Sequence, residues 1–426
     1  MSEATRPASA IDGAEIGESA HGERTVRALF AILCYQGYAF ALLGIGAPFI
    51  AKSFGLNQSG IARMYAWISL NSIGALVLSR MADRIGRRRI VTWGLIITPL
   101  CSIGAALAAS AAWFIFFEIV VYSAILATFG SAIVMMAEAL PIEKRSKGQG
   151  WANLAIAAGG GLCVVLAPAL AHWGWSWRWM PAVAGAGIVL APTMVRWLPE
   201  SRRWERAAAS GAAERSHFYD VFGRRYRRRT LPLIVATLIG EASGAAFSTW
   251  VYYHAVTVVG LSPAQGSIIL LVGGAVSMAG LVIGVCMAEL AGRVRTVMMM
   301  GLAGTLGVLA FYWGPPAHFA WPLLWLMVAH AWFSTAGRAV QVAGNAAVTE
   351  LFPTALRGTI VGWLTLTIAF SAIGAQTAIA ILAKPLGGLS NVVGWISLLW
   401  IPSSLIWGIF VDETQGLSLE AASNEE

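Results

Sequence analysis

Residues 112–137 read AWFIFFEIVVYSAILATFGSAIVMMA, and within this stretch only Glu118 is charged. A helix that crosses a lipid bilayer needs about 20 mainly apolar residues. Residues 112–137 are long enough to cross a bilayer. They are continuously apolar, whereas a membrane β-barrel shows alternating segments of roughly ten residues. The stretch therefore predicts a transmembrane α-helix.

Eleven further apolar runs extend the same pattern along the chain. In order, the twelve runs are 28–51, 61–78, 90–109, 112–137, 150–171, 179–198, 231–256, 264–288, 297–314, 321–348, 359–383 and 392–411. The 426 residues are 58% hydrophobic and 12% charged, with a mean hydropathy of +0.69. Soluble proteins carry roughly 25% charged residues. The composition therefore excludes a soluble enzyme, a disordered chain and a nucleic-acid-binding domain.

The basic residues predict the orientation of these helices, because cytoplasmic loops of membrane proteins are enriched in lysine and arginine. Basic residues concentrate after the even-numbered runs, whereas the opposite side of the membrane has only Lys52, Arg63, Arg178 and Lys384. Both termini and the linker at residues 199–230 are therefore predicted to be cytoplasmic. Residues 1–26 are polar and contain no apolar core of a signal peptide, so they are interpreted as a disordered cytoplasmic tail. Residues 412–426 form the other tail.

Two loop sequences recur in the second half of the chain. Residues 138–145 carry Glu, Pro and Arg at the same spacing as residues 350–357, and residues 83–87 are similarly repeated at residues 289–293. The repeat divides the membrane region into two copies of six helices, residues 27–198 and 231–411. An even number of helices gives both copies the same orientation. The major facilitator superfamily has such parallel repeats, with substrate bound near the midplane.

The repeated loops also carry a family resemblance. Asp83-Arg84-Ile85-Gly86-Arg87-Arg88 resembles the signature of the major facilitator superfamily between its second and third helices, with Ser79 where glycine is usual. Four further motifs resemble its sugar-porter branch and the related metabolite–proton symporters: Trp177–Met180, Pro199–Trp204, Glu350–Gly358 and Glu413–Glu420. The resemblance implies an all-α integral membrane protein with twelve transmembrane helices. They would form two pseudo-symmetric six-helix bundles around a central cavity.

The same resemblance implies a secondary active transporter that works by alternating access. The branch favours proton-coupled uptake of an organic acid or related metabolite. An exporter of a drug-like compound and a transport-inactive sensor remain alternatives. We expect a monomer in a bacterial inner membrane whose partners are a small organic substrate, protons and the bilayer, and not nucleic acid.

Enzyme motifs are missing from the sequence, including HExxH, the GxSxG elbow and the GxxxxGK[ST] phosphate loop. The protein is therefore predicted not to be an enzyme and to use ion gradients rather than ATP. Cys34, Cys101, Cys163 and Cys286 lie in apolar runs without a CxxC pair, so we expect no metal and no cofactor.

Acidic and basic residues face the cytoplasm together at the predicted helix ends. The acidic members are Asp83, Glu138, Glu200, Glu289 and Glu350, and the basic members are Arg87, Arg145, Arg203, Arg293 and Arg357. Pairs that bridged the two halves would form a breakable cytoplasmic gate, because exposed ion pairs contribute only about 0–1 kcal/mol. The resemblance implies such a gate. The alternative is that these residues only fix topology and cap helices.

Three charged residues lie well inside the predicted helices: Glu118, Glu241 and Arg338. A charge there costs several kcal/mol unless it is paired, hydrated or neutralised. We therefore predict a substrate and coupling site that contains these residues together with Gln36 and Gln341. Glu241 and Arg338 are expected to face the cavity, with Glu118 as their protonatable companion or the proton carrier. The alternatives are structural charges, or a cationic substrate held by the two glutamates.

Departures from the sugar porters sharpen this hypothesis. Those proteins carry an Asp in helix one where Ala39 stands here, and an Arg in helix four where Glu118 stands. Their helix-seven glutamine pair is replaced by Gly240 and Glu241. The resemblance therefore argues against a sugar as substrate, and it leaves Glu118 and Glu241 as the candidate proton carriers.

Overall fold

The computed structural model describes residues 8–140, 145–198, 219–314 and 321–415, and within these ranges the secondary structure is helical without strands. The α-helices of the first half are α1 Ala8–Ser53, α2 Gln58–Ile68, α3 Asn71–Ile85, α4 Arg87–Ala106, α5 Ala111–Glu138, α6 Arg145–His172, α7 Trp179–Gly185 and α8 Gly187–Arg196. Those of the second half are α9 Arg227–Tyr253, α10 Pro263–Ser277, α11 Ala279–Leu290, α12 Arg293–Trp313, α13 Pro322–Leu351, α14 Thr354–Leu382, α15 Leu389–Ser397 and α16 Trp400–Phe410. A 3₁₀ turn at Asp220–Phe222 precedes α9, and a π-helical turn at His254–Val258 follows it.

Long apolar segments become helices because a bilayer offers no partner for backbone polar groups, which must bond within the segment. Polar residues mark the ends. Ser110 accepts a hydrogen bond from the Trp113 backbone N–H at the start of α5. Ser262 and Gln265 form a complete capping box at α10. Gly86 and Gly292, one in each repeated loop, have φ of 104° and 105° and precede α4 and α12. Such φ values favour glycine. The two repeated loops therefore share a backbone conformation as well as a sequence pattern.

Ten described helices or helix pairs are long and apolar enough to cross a membrane. They correspond to ten of the twelve predicted runs. The sixth run is divided at Ala186 into α7 and α8, which leaves only the shorter apolar helix Trp179–Val189. The tenth run is the continuous helix α13 of 30 residues. It contains Arg338 and other polar residues, and it is not among the ten candidate spans.

The N-terminal helix begins earlier than the predicted apolar run. Residues 8–26 belong to α1, although residues 1–26 are predicted to be a disordered tail. Alanine and glutamate are frequent in this segment, and both favour helix. Residues 1–7 lie outside the described part of the chain.

The chain divides into two compact units. Unit 1 comprises the described residues within 1–42, 73–163 and 178–213. Its core packs buried residues of α1, α4, α5, α6 and α8, including Leu33, Leu95, Met136 and Ala152.

Unit 2 comprises the described residues within 43–72, 164–177 and 214–426. It therefore contains the ends of α1 and α6, together with α2, packed with the helices of the second half. The Tyr65 and Trp250 rings are 5.2 Å apart between centroids, and the Ser267 hydroxyl donates to the Val164 carbonyl oxygen at 2.8 Å. The Leu389 backbone N–H donates to Gln58 Oε1 at 3.1 Å. The predicted boundary at residues 199–230 lies largely outside the described residues and stays a prediction.

Candidate functional site

A polar stripe runs along α13. Ser334, Arg338, Gln341 and Asn345 follow one another at intervals of three or four residues, so they lie on one face of the helix. The other face consists of buried alanines: Ala336, Ala339, Ala343 and Ala347. Arg338 Nη1 donates a hydrogen bond to Gln341 Oε1 at 3.2 Å. The helix therefore has a small, packed face and a face suited to water or a polar ligand.

Close packing against α11 fixes the orientation of this stripe. A Cβ atom at Gly280 would collide with the Thr335 carbonyl oxygen, and one at Gly284 would collide with the Ala339 backbone. Glycine at both positions lets α11 approach the small face of α13 closely, as small residues do at helix contacts in membranes. Arg338 and Gln341 therefore lie on a helix whose position is fixed by close packing, and not on a flexible loop.

Glu241 lies on α9 in the same unit, and its side chain is exposed. In this structure it forms no ion pair with Arg338, and neither residue pairs with any oppositely charged side chain in the described ranges. A charge within a membrane segment is expensive unless water or a partner is available. Arg338 and Glu241 therefore each require water or a ligand.

Glu118 lies in a different environment, inside unit 1. It is only 3% exposed, and its Oε2 atom has no hydrogen-bond partner among the described residues. Gln36 on α1 is fully buried, and its Nε2 atom is likewise unpartnered. Thr98 on α4 donates its hydroxyl to Gln36 Oε1 at 3.3 Å. Each unsatisfied buried polar group costs about 1–3 kcal/mol, and this interior contains two such atoms without a partner among the described residues.

A charged cluster in unit 2 joins the loop between α11 and α12 to the ends of α13 and α16. Arg293 Nη2 is 3.1 Å from Glu350 Oε1. The Thr414 hydroxyl donates to Glu350 Oε2 at 2.5 Å. Glu413 Oε1 accepts from the backbone N–H of Arg293 at 2.8 Å, which caps the first turn of α12. The Arg293–Glu350 pair thus connects elements of one unit.

Glu413 and Thr414 are absent from the predicted gate, although they begin a motif of the resemblance. Glu413 caps α12 through a contact between residues that are 120 positions apart in the sequence, so the sequence alone does not indicate this role. A second ion pair, Arg229–Asp412 at 3.3 Å, was also not predicted.

The structure describes the side chains of only some of the other predicted gate residues. Arg357 Nε donates to the Phe352 carbonyl oxygen at 3.1 Å, and the Glu289 carbonyl oxygen accepts from Gln415 Nε2. Arg87 begins α4 directly after Gly86. The side chains of Asp83, Glu138, Arg145, Glu200 and Arg203 lie outside the described part of the structure.

Comparison with known proteins gives a consistent result. A family model described as Major Facilitator Superfamily matches residues 29–377. A "Probable 4-methylmuconolactone transporter" of Cupriavidus pinatubonensis is 24% identical, over 91% of this chain and 91% of its own. A gentisate transporter of Corynebacterium glutamicum is 24% identical, over 83% of this chain and 78% of its own. A crystal structure of a D-xylose–proton symporter superposes with a TM-score of 0.73 at 17% identity, over 93% of this chain and 99% of that chain.

Proposed function

Because the chain belongs to the Major Facilitator Superfamily, we propose that it takes up a small aromatic or related organic acid by proton symport. Two relatives that cover most of the chain are named as transporters of 4-methylmuconolactone and of gentisate, which supports a substrate of this class. The observation that carries the proposal is Arg338, a cation on the polar stripe of α13 without an acidic partner in the described ranges.

Arg338 binds the carboxylate of the substrate. A guanidinium can donate two parallel hydrogen bonds to a carboxylate, which adds both strength and direction. Gln341 already accepts from Arg338 and so orients the guanidinium group. Ser334 and Asn345 on the same face offer hydroxyl and amide groups for further hydrogen bonds to hydroxyl or carbonyl oxygens. The stripe therefore suits a small acid with additional polar substituents.

The proton is carried by Glu118, with Glu241 as the second candidate. Glu118 is sealed in unit 1, where a carboxylate without a partner is unfavourable and a neutral carboxyl group is tolerated. Gln36 provides an unpaired amide donor in the same unit. A carboxyl group that gains and loses a proton there would change the packing of α1, α4 and α5, which is how proton movement becomes linked to transport.

The cytoplasmic charged residues regulate opening of the transport path. The Arg293–Glu350 pair holds the start of α12 to the end of α13. Its side chains are 24% and 20% exposed, so the pair is only partly screened by water. Bridges between the two predicted halves remain a prediction for the N-terminal gate residues. We also propose a monomer in the bacterial inner membrane with both termini in the cytoplasm.

Uptake into proteoliposomes tests the proposed function. Purified protein is reconstituted, and accumulation of radiolabelled gentisate and a panel of other aromatic acids is followed with an acidic exterior. Accumulation should exceed equilibrium and collapse when a protonophore is added. Transport of neutral or cationic solutes alone, or acid uptake that ignores the pH gradient, would contradict the proposal.

A further inference from the structure

A cavity of about 320 Å³ lies in unit 2, beside the end of α9 and far from Arg338. Its lining contains aromatic side chains of α12 and α13 and a small polar end: Phe311, Tyr312, Trp313, Trp325, His254 and Ser390. Trp325 precedes Arg338 by 13 residues on α13, which corresponds to roughly 20 Å along the helix. The cavity is therefore separate from the polar stripe.

The aromatic walls are fixed in position. Trp325 Nε1 donates to the Ala310 carbonyl oxygen at 2.8 Å, and the Tyr312 hydroxyl donates to the Phe247 carbonyl oxygen at 3.0 Å. The Trp313 ring packs edge-on against Trp395, with centroids 5.2 Å apart. Side chains that are already ordered lose little entropy when a ligand binds. The cavity is thus preformed rather than opened by its ligand.

His254 forms the polar end. It is 4% exposed, and its Nδ1 atom lies 3.0 Å from Ser390 Oγ. The other ring nitrogen, Nε2, has no hydrogen-bond partner among the described residues. Nε2 is not one of the fully buried unpartnered atoms of the described residues, so it retains some accessible surface. Since His254 lines the cavity and Nδ1 is occupied, Nε2 is the atom left for a ligand.

The backbone at this point is irregular in a way that often marks a functional site. His254–Val258 forms a π-helical turn, and the Val259 backbone N–H donates to the His254 carbonyl oxygen at 3.0 Å. Single π turns inside or after α-helices are rare and recur at functional positions. Here the turn carries His254 itself, so the irregular backbone and the unpaired nitrogen coincide.

We propose that this cavity binds a small uncharged aromatic molecule that carries a hydroxyl group. The ring lies between the aromatic walls, and the hydroxyl group bonds to His254 Nε2. A hydroxyl group can donate or accept, so it fits whichever tautomer the Ser390 contact selects. Among the described residues, the lining includes no charged side chain, which disfavours an ionised ligand because no described group would compensate its charge. The volume is at the lower end for ligand sites and suits a single ring. This site is additional to the proposed transport function.

Photolabelling of the full-length protein in lipid nanodiscs tests the proposal. The probe is 4-azidophenol, and the matched control probe is 4-azidotoluene, in which a methyl group replaces the hydroxyl group. Mass spectrometry should locate 4-azidophenol on peptides that contain the lining residues. Labelling by 4-azidotoluene should be about fivefold weaker, which is the usual effect of one hydrogen bond.

Variants separate the cavity from its surroundings. Leu326→Trp, which fills the cavity, should abolish labelling, and His254→Phe, which keeps the ring but removes the nitrogens, should reduce 4-azidophenol labelling to the level of 4-azidotoluene. Leu306→Trp adds the same bulk on another surface near Trp325 and should have no effect. If Leu326→Trp does not give monodisperse protein, Asn391→Trp blocks the lining instead. Equal labelling by both probes, labelling that survives both filling variants, or labelling that appears in detergent but not in lipid would overturn the proposal.

Discussion

At the residue scale, Arg338 is the most informative position. Arg338→Gln should raise the KM for an acidic substrate by roughly 10- to 100-fold, because a hydrogen bond to a charged group contributes about 1.5–3 kcal/mol. Arg338→Lys should recover part of the loss, since it restores charge but not the two-donor geometry. The measurement is the concentration dependence of labelled-acid uptake. Arg295→Gln, at an exposed arginine in the first turn of α12, is the control.

The rival interpretation at this position is a cationic substrate held by Glu118 and Glu241. A cation carrier should keep its affinity in Arg338→Gln and lose it in Glu241→Gln. Unchanged acid affinity in Arg338→Gln would therefore move the substrate site away from the α13 stripe.

Substitution of Glu118 should abolish proton coupling while leaving the movement of substrate across the membrane intact. Glu118→Gln preserves size and removes the exchangeable proton, so it should abolish uptake against a gradient while counterflow exchange of substrate continues. Glu241→Gln is measured beside it and should retain pH-driven uptake. If the double variant Glu118→Gln, Glu241→Gln accumulates substrate with normal pH dependence, neither carboxyl group carries the proton.

The environments of these two glutamates were not predictable from sequence. Both lie in apolar runs, where Glu241 is predicted to face the cavity and Glu118 to be its protonatable companion or the proton carrier. The structure buries Glu118 inside unit 1 and leaves Glu241 exposed on α9. The difference depends on which helix face packs inward, and the mixed apolar sequences of α5 and α9 do not define a face. On α13 the alanines and the polar residues recur on opposite faces, and Arg338 and Gln341 of this stripe were predicted as site residues.

At the element scale, the N-terminus of α12 depends on Glu413. Its carboxylate accepts from the backbone N–H groups of Arg293 at 2.8 Å and Arg295 at 3.3 Å. A helix cap with a favourable charge contributes about 1–2 kcal/mol. Glu413→Gln should therefore lower the thermal unfolding midpoint measurably. Asp412→Asn should not, because the Asp412 side chain is 69% exposed in its pair with Arg229. Equal midpoints for both variants would assign Glu413 no stabilising role.

The neighbouring ion pair can be measured by a double-mutant cycle. Arg293→Gln and Glu350→Gln should each reduce turnover, and the double variant should lose less than the sum of the two, because the residues act through one contact. Transport rate at saturating substrate is the readout. Strict additivity would show that the 3.1 Å contact has no energetic role in the cycle.

The helix elements themselves were largely predictable. Apolar length located most spans, and the two repeated loops contain Gly86 and Gly292, whose φ values are nearly equal in the structure. The break at Ala186, the π turn at His254 and the cap by Glu413 were not visible in the sequence. The cap by Glu413 depends on a contact across 120 residues of sequence, which local propensity does not encode.

At the scale of the whole molecule, orientation is the first prediction. In a variant without the four native cysteines, Ser201→Cys should resist a membrane-impermeant maleimide applied to intact cells, since residues 199–230 are expected in the cytoplasm. Trp175→Cys, in a loop expected outside, should react. Reaction at Ser201→Cys before cell lysis would reverse the predicted topology.

The contacts inside unit 2 lead to the last prediction. The end of α6 and the helix α2 belong to the first sequence repeat, yet they pack on helices of the second repeat through Tyr65–Trp250, Gln58–Leu389 and Ser267–Val164. If transport proceeds by alternating access, these contacts must separate once in every cycle.

A short bifunctional reagent that joins Gln58→Cys to Leu389→Cys should therefore stop uptake, and cleavage of the linker should restore it. The control pair Ala310→Cys and Trp325→Cys joins α12 to α13 inside the second repeat, at two positions that a 2.8 Å hydrogen bond places in contact in the native protein, and its cross-link should leave transport intact. Full transport by the cross-linked Gln58–Leu389 pair would mean that this contact is permanent and that the cycle opens the molecule elsewhere.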